Sequence, residues 1–186
     1  MKKLILGILF SICSFIVFSQ EQQNVKTIPF QAWDNKVNMN VPSGWQKNVL
    51  KESTDQIVVS EKSIKDINTL TEGIVISREI GLSKKLNLTN SDANLSQGII
   101  LARKAEYEKM AEYELKSEKP FTSGLYTGII QEIKYRKNPS DPLMQAFVLT
   151  YVHNDEAIYV KLISSHEAFN EKRDLFWGII RTISIN

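Results

Sequence analysis

Residues 144–164 read MQAFVLTYVHNDEAIYVKLIS, and this stretch decides the fold. Two nearly continuous apolar runs, 144–152 and 157–164, flank the polar tetrapeptide His153-Asn154-Asp155-Glu156. Such runs are typical of central strands that are covered on both faces. Asn and Asp favour tight turns because both tolerate a left-handed backbone. The stretch therefore predicts an antiparallel hairpin at the centre of a sheet.

Shorter strand patterns precede this hairpin. Val37, Met39 and Val41 alternate with polar residues, which is the period of a half-buried strand. A tight turn over 41–44 follows, with its proline in the second position and its glycine in the fourth. Further strands are expected at residues 45–50, 56–60, 73–80 and 128–136.

Two segments have the character of helices. Residues 90–115 lack proline and are rich in Ala, Glu, Lys, Leu and Met, so they are predicted as one helix. Its two apolar stripes leave open which side faces the sheet. Ser164 and Glu167 have the spacing of a capping box, with Asn170 as an alternative cap for a later start. The helix that follows has one apolar stripe, formed by Phe169, Phe176, Ile179, Ile180 and Ile183.

The predicted order is strands, helix, three strands, helix. Antiparallel hairpins with two amphipathic helices predict an α+β domain in which helices flank an antiparallel sheet. Residues 36–186 are expected to form this single domain, with 20–35 as an N-terminal tail and lead-in.

The first 19 residues have the pattern of a signal peptide. Lys2 and Lys3 precede an apolar run that is shorter than the about 20 residues of a membrane span. Ser19 ends this run, and cleavage after it predicts export to the periplasm or the extracellular space. An uncleaved anchor and a lipoprotein are the less favoured alternatives, since Ile12 before Cys13 does not suit a lipid-modified cysteine.

Composition after the signal excludes several classes of protein. Cys13 is the only cysteine, so a cleaved chain has no disulfide, thiolate nucleophile or Cys-ligated zinc. The formal charge of +2 comes wholly from Lys2 and Lys3, and the remainder is balanced. Nucleic-acid binding is therefore not expected, because it requires a basic excess or stripe. No stable membrane span is expected after cleavage.

The chain resembles the PsbP-like and DcrB-like exported domains across most of residues 36–184. The resemblance begins with Asn40-Val41-Pro42-Ser43-Gly44-Trp45, which is similar to the P-x-G-W start of these domains. It continues with Ser117-Glu118-Lys119, Gly124 before a strand, the hairpin of 146–152 and 157–163, and a closing helix that contains Phe169 and ends with 176–183. The order of these elements carries the resemblance.

This resemblance implies an α/β/α sandwich with a central antiparallel sheet. The family includes a photosystem II subunit, bacterial exported lipoproteins and a Ran-binding transport factor, whose roles share no chemistry. The family as a whole has no catalytic motif, so none is carried over to this chain.

Both histidines have non-catalytic interpretations. His153 lies beside Asp155 and Glu156, but neighbouring residues of a turn rarely converge on one ion, so a solvated turn is preferred to a metal site. His166 lies between Ser165 and Glu167. A catalytic triad is assembled from separate segments, so helix capping is the preferred interpretation there.

Carboxylates and aromatic residues are the remaining candidates. Glu106, Glu108, Glu112 and Glu114 interleave with basic residues, which indicates ion pairing along a helix rather than catalysis. Four aromatic side chains could line a ligand groove, although core or rim positions are preferred: Trp33, Tyr107, Tyr113 and Trp177. No catalytic, cofactor-binding or metal-binding residue is predicted, and no cofactor is expected.

Three classes of function remain open at this stage. An exported non-catalytic binding or assembly module of the periplasm or cell envelope, with an unknown protein partner, is favoured. A carrier of a small apolar or amphiphilic ligand is the alternative, and a hydrolytic enzyme is the least favoured. A flat apolar patch would support the first, a deep apolar pocket the second, and convergent titratable groups in a cleft the third.

Overall fold

The predicted hairpin lies at the centre of a seven-stranded antiparallel sheet. The computed structural model describes residues 25–50, 54–123 and 126–186. The signal peptide, its cleavage site, Cys13 and Gly124 lie outside the described residues. The helices are α1 (Leu82–Leu86), α2 (Asp92–Tyr107) and α3 (His166–Ile180). The strands are β1 (Thr27–Ala32), β2 (Val37–Pro42), β3 (Gln46–Val49), β4 (Gln56–Ser60), β5 (Glu72–Ile80), β6 (Glu112–Ser123), β7 (Tyr126–Arg136), β8 (Met144–His153), β9 (Glu156–Ser165) and β10 (Ser184–Ile185).

The large sheet has the strand order β3-β4-β5-β9-β8-β7-β6, and every neighbouring pair is antiparallel. Strands β8 and β9 pair from Met144 opposite Ser165 to His153 opposite Glu156. Asn154 and Asp155 form the two-residue turn with φ of 48° and 64°, as the right-handed twist of a hairpin requires. The predicted central hairpin is confirmed.

One face of this sheet packs against α3 and the small sheet β1-β2-β10. Val37, Met39 and Val41 of β2 are buried there, as their alternation predicted. The stripe of α3 also lies in this core, where Phe169, Phe176, Ile179 and Ile180 are each at most 2 % exposed. This layer holds the largest described apolar cluster.

The opposite face is covered by α1, α2 and two loops. Leu95 and Ile99 of α2 pack with Leu82 of α1 against the β8–β9 end of the sheet. Tyr107, at the end of α2, packs in a second cluster with residues of β7 and β8. Helices on both faces of an antiparallel sheet confirm the predicted α+β sandwich.

The prediction of one helix over 90–115 is wrong at its C-terminal end. Helix α2 ends at Tyr107, and 112–123 is the edge strand β6 instead. Tyr113 lies opposite Tyr135, and Leu115 opposite Ile133, so the edge of β7 provides hydrogen-bonding partners for this segment. The helix-favouring composition is a weak preference that this pairing overrides. Four strands, not three, therefore lie between α2 and α3.

Three smaller differences concern local structure. Strand β1 lies within the segment expected to be a lead-in, where the sequence analysis gave no strand. The turn after β2 is shifted by one residue, since Trp45 N donates to Pro42 O. The cap of α3 is neither Ser164 nor Asn170, because the Ser165 hydroxyl accepts from Ala168 N at 3.4 Å.

Candidate functional site

A cavity of about 660 Å³ lies between the large sheet and the elements that cover its α2 face. We call it the sheet cavity. Alternate residues of a strand point to the same face, and residues of one such face from β5, β7, β8 and β9 form its floor. The walls are the C-terminal end of α2, the segment 67–70 and the loop 137–142. The apolar residues on it are Ile67, Leu70, Val75, Tyr107, Met110, Tyr135, Pro142, Met144, Val148, Tyr159 and Ile163.

Lys161 lies on this floor, in the second half of β9. Its partners in the sheet register are Val75 of β5 and Val148 of β8, so its side chain emerges between two valines. The ammonium Nζ is 4.0 Å from the centroid of the Tyr135 ring, which gives a cation–π contact. Among the described residues no carboxylate forms an ion pair with it.

The surroundings of Lys161 disfavour its charged form. Burial lowers its pKa most, and the positive charges of Arg103 and Lys137 lower it further, to about 7. An ammonium in an apolar site without a counter-ion loses hydration that nothing replaces. Lys161 therefore changes charge near neutral pH.

The other charged groups of the cavity already have partners. Arg103 Nη1 lies 3.1 Å from Glu106 Oε2, and the guanidinium stacks over the Tyr159 ring at 4.2 Å. Lys137 Nζ donates to Asn68 Oδ1 at 2.7 Å. Lys161 is thus the one cation lining the described cavity that has neither a carboxylate nor a hydrogen-bond acceptor.

The carboxylate Asp141 is held within its own loop. Its Oδ2 accepts from the backbone N of Asn138 at 3.0 Å and from Nδ2 of the same residue at 2.8 Å. It and Glu106 are the two carboxylates among the lining residues, and both are engaged by neighbours.

Of the four aromatic side chains considered for a ligand groove, Tyr107 lines the cavity and the other three do not. Tyr113 stacks on Tyr107 with ring centroids 5.1 Å apart, whereas Trp33 and Trp177 pack against the core on the other face of the sheet. The four aromatics therefore do not line one groove, and the preferred core or rim placement describes these residues.

The turn residues around His153 serve separate partners. His153 Nδ1 lies 2.8 Å from Asp92 Oδ2, at the start of α2. Asp155 Oδ1 accepts from Ser83 N at 2.6 Å, while Glu156 forms an ion pair with Lys36. Within the described ranges no three His, Cys, Asp or Glu side chains are arranged to hold a metal ion. The turn ties helices α1 and α2 to the hairpin.

His166 belongs to a polar chain beside α3. Its Nδ1 is 2.6 Å from Gln145 Oε1, and Gln145 Nε2 donates to Glu132 Oε1 at 2.6 Å. Arg173 makes two hydrogen bonds to Glu132, of 2.6 and 2.9 Å. Burial raises the pKa of Glu132, but the bonds and charge of Arg173 outweigh burial and lower it overall. The chain joins α3 to the sheet and contains no nucleophile.

The predicted carboxylate face is divided between two elements. Glu106 pairs with Arg103, and Glu108 lies 3.9 Å from Lys104, both on or next to α2. Glu112 and Glu114 belong to β6 and pair with Lys134 across the sheet at 3.3 and 3.5 Å. Ion pairing was the correct interpretation, although one continuous helix was not.

Sequence analysis did not identify Lys161 as a candidate. The signal that could have found it is a charged residue inside an apolar run that is covered on both faces, where an unpaired cation is costly. Only the tertiary arrangement, however, brings Arg103 and Lys137 to the same cavity.

No helix within residues 25–50, 54–123 and 126–186 is both long and apolar enough to cross a bilayer.

Comparison with known proteins gives structural but not sequence relatives. No family model and no curated protein matches the chain. The solution structure of cyanobacterial PsbP from Synechocystis sp. PCC 6803 is 11 % identical, with a TM-score of 0.56 over 97 % of this chain and 99 % of that one. The crystal structure of the Saccharomyces cerevisiae Ran-binding protein Mog1p is 10 % identical, with a TM-score of 0.57 over 87 % and 96 %. At such identities the likeness concerns the fold alone, and the chain has the PsbP-like fold that the order of its elements predicted.

Proposed function

We propose that this protein is an exported, non-catalytic binding module that holds a small amphiphilic ligand in the sheet cavity. The observation that carries the proposal is the cavity itself. Its 660 Å³ falls within the roughly 300–1,000 Å³ of ligand pockets, and its lining combines apolar and polar side chains, as an amphiphilic ligand requires. Export is inferred from the N-terminal sequence pattern.

The cavity supports the carrier alternative over a protein-assembly surface. The large apolar side chains that are exposed among the described residues are spread over separate parts of the chain: Val25, Ile28, Ile80, Leu88, Leu101 and Leu115. The lining residues of the cavity, by contrast, converge on one partly open pocket, which suits a small ligand.

Binding is also supported over turnover. Lys161 is a potential nucleophile toward a carbonyl group. Catalysis through this amine also requires a positioned acid or base, and the two lining carboxylates, Glu106 and Asp141, are held by Arg103 and Asn138. No histidine or cysteine lines the cavity in the described part of the chain.

The test is to fill the cavity and measure ligand uptake. Ser77 lines the cavity on β5, and Ser77→Phe places a ring in it. The probe is N-phenyl-1-naphthylamine, a neutral dye that fluoresces strongly in apolar sites. We expect wild type to bind the dye and Ser77→Phe to lose at least tenfold in affinity.

The matched control is Thr122→Phe, at an exposed position of β6 outside the cavity, which should bind like wild type. Circular dichroism verifies that each variant is folded. Absence of dye binding by wild type, or equal binding by a folded Ser77→Phe, would contradict the proposal.

A further inference from the structure

The described lining of the sheet cavity carries more cationic than anionic side chains. Three cationic side chains, Arg103, Lys137 and Lys161, line it together with two carboxylates. The carboxylate of Glu106 is next to Arg103, and the nearest described acceptor of Lys137 is Asn68. Lys161 therefore remains without an anion while lying between apolar side chains.

An anionic group beside Lys161 would be strongly favoured for electrostatic reasons. Attraction between opposite charges grows as the local dielectric falls, and the ammonium has already lost much of its hydration on folding. The cost of desolvating the cation has thus been met before the ligand arrives. This is preorganisation for a negative charge.

We propose that the ligand of the sheet cavity is a monocarboxylate amphiphile whose carboxylate pairs with Lys161 and whose apolar chain lies along the cavity floor. This inference rests on the proposed function and specifies the chemical class of its ligand. The apolar chain would contact Val75, Val148 and Ile163, which flank Lys161 on β5, β8 and β9.

The number of cations in the cavity that lack a partner favours a ligand with one negative charge over a ligand with two. Arg103 is shared between Glu106 and the Tyr159 ring, and Lys137 is bound to Asn68. Only Lys161 among the cations lining the described cavity has neither a carboxylate nor a hydrogen-bond acceptor. A phosphate dianion would require a second cation, and the other ammonium of the cavity, Lys137, already donates to Asn68.

The proposal makes a specific prediction about pH. The charged and titratable groups that face Lys161 are Arg103, Glu106 and Tyr107 from α2, Lys137 and Asp141 from the loop, and Tyr135 and Tyr159 from the sheet. Burial raises the pKa values of all three tyrosines, that of Tyr107 to about 12, so these phenols stay neutral.

Lys161 therefore controls the pH dependence of binding near neutral pH. Its free-state pKa is about 7, and a bound carboxylate stabilises the charged form. Affinity should be level below pH 7 and then fall by roughly tenfold per pH unit above it, because binding must restore the lost proton. A neutral ligand should not show this decline.

The experiment compares octanoate, octan-1-ol and octyl phosphate, which differ only in the headgroup. Isothermal titration calorimetry of the whole chain without its signal, in buffers of different ionisation enthalpy, gives affinity and proton uptake together. At pH 6.5 we expect octanoate to bind at least tenfold more tightly than the other two. At pH 8 we expect uptake of close to one proton per octanoate.

Lys161→Met and Lys161→Gln should abolish both the headgroup preference and the proton uptake. Lys119→Met, at an exposed lysine of β6, is the matched control and should retain them. Equal binding of octanoate and octanol by wild type, tighter binding of octyl phosphate, or a preference that survives in both folded Lys161 variants would overturn the inference. Equal binding of octanoate and octanol would still leave the cavity as a binding site. If none of the three compounds binds and the dye does not bind either, the proposed function is contradicted as well.

Discussion

Lys161→Met replaces the ammonium of a half-buried lysine by an apolar side chain of similar length, and this change should alter how stability depends on pH. The pKa of Lys161 is lowered from 10.5 to about 7 by burial first and then by Arg103 and Lys137. Between these values the unfolded chain binds a proton that the folded protein does not. Stability of the wild type therefore rises with pH in this window, and the rise ends as the unfolded lysine also loses its proton.

The magnitude follows from the size of the shift. One pKa unit corresponds to about 1.4 kcal/mol, so wild type should gain on the order of 2 kcal/mol between pH 7 and pH 9 relative to Lys161→Met. At pH 6 the variant should be the more stable protein, since it has no charge to desolvate. The methionine also fits the apolar surroundings of Val75 and Val148.

The assay is urea unfolding of wild type, Lys161→Met and Lys119→Met at pH 6, 7, 8 and 9. Lys119 is exposed on β6, so its variant should follow the wild-type curve. Parallel stability curves for wild type and Lys161→Met over this range would refute the reasoning, because they would show that Lys161 keeps an ordinary pKa.

Four further outcomes are expected. Phe176→Ala should cost about 3–5 kcal/mol in denaturant unfolding, since Phe176 is fully buried and its ring centroid lies 5.8 Å from that of Phe169; a loss below about 1 kcal/mol would contradict its role in the core. Arg173→Met should cost about 1–3 kcal/mol at pH 7, and the cost should shrink as the pH falls through the lowered pKa of Glu132 and the carboxylate takes up a proton; a cost that does not change with pH would argue against the ion pair. EDTA should leave the melting temperature unchanged, and a clear drop would reveal a structural metal. Intact-mass analysis of the exported protein should place the mature N-terminus at or near Gln20, and a full-length chain in the membrane fraction would show that the signal is not removed.

The contrast between β9 and β6 shows which elements could be predicted. The run that forms β9 is apolar on both faces. Placement at the edge of the sheet would expose its side chains to water, so the sequence pattern and the fold agree. In residues 112–115, Glu112 and Glu114 alternate with Tyr113 and Leu115, which is the period of a strand, but the segment is too short to outweigh the helix-favouring composition before it. Their state is decided by the free edge of β7, a partner distant in sequence from α2.

The candidate site was less accessible to prediction than the fold. His153 and His166 attract interest in the sequence because of their residue type, yet both act within hydrogen-bonded contacts that join helices to the sheet. Lys161 attracts little interest in the sequence, because a single lysine in a strand can be an exposed residue. Its environment depends on α2 and the loop 137–142 covering that face of the sheet.

By itself the sequence determined the antiparallel central hairpin, the apolar stripe of the last helix and the α+β class, because these follow from local periodicity of 2 or 3.6 residues. It also supplied the N-terminal pattern from which export is inferred. Only the tertiary structure decided the end of α2, the partner of β6 and the cavity around Lys161. Each of these depends on contacts between segments far apart in the chain, where burial and neighbouring charges, not the residue's own type, set its conformation and pKa.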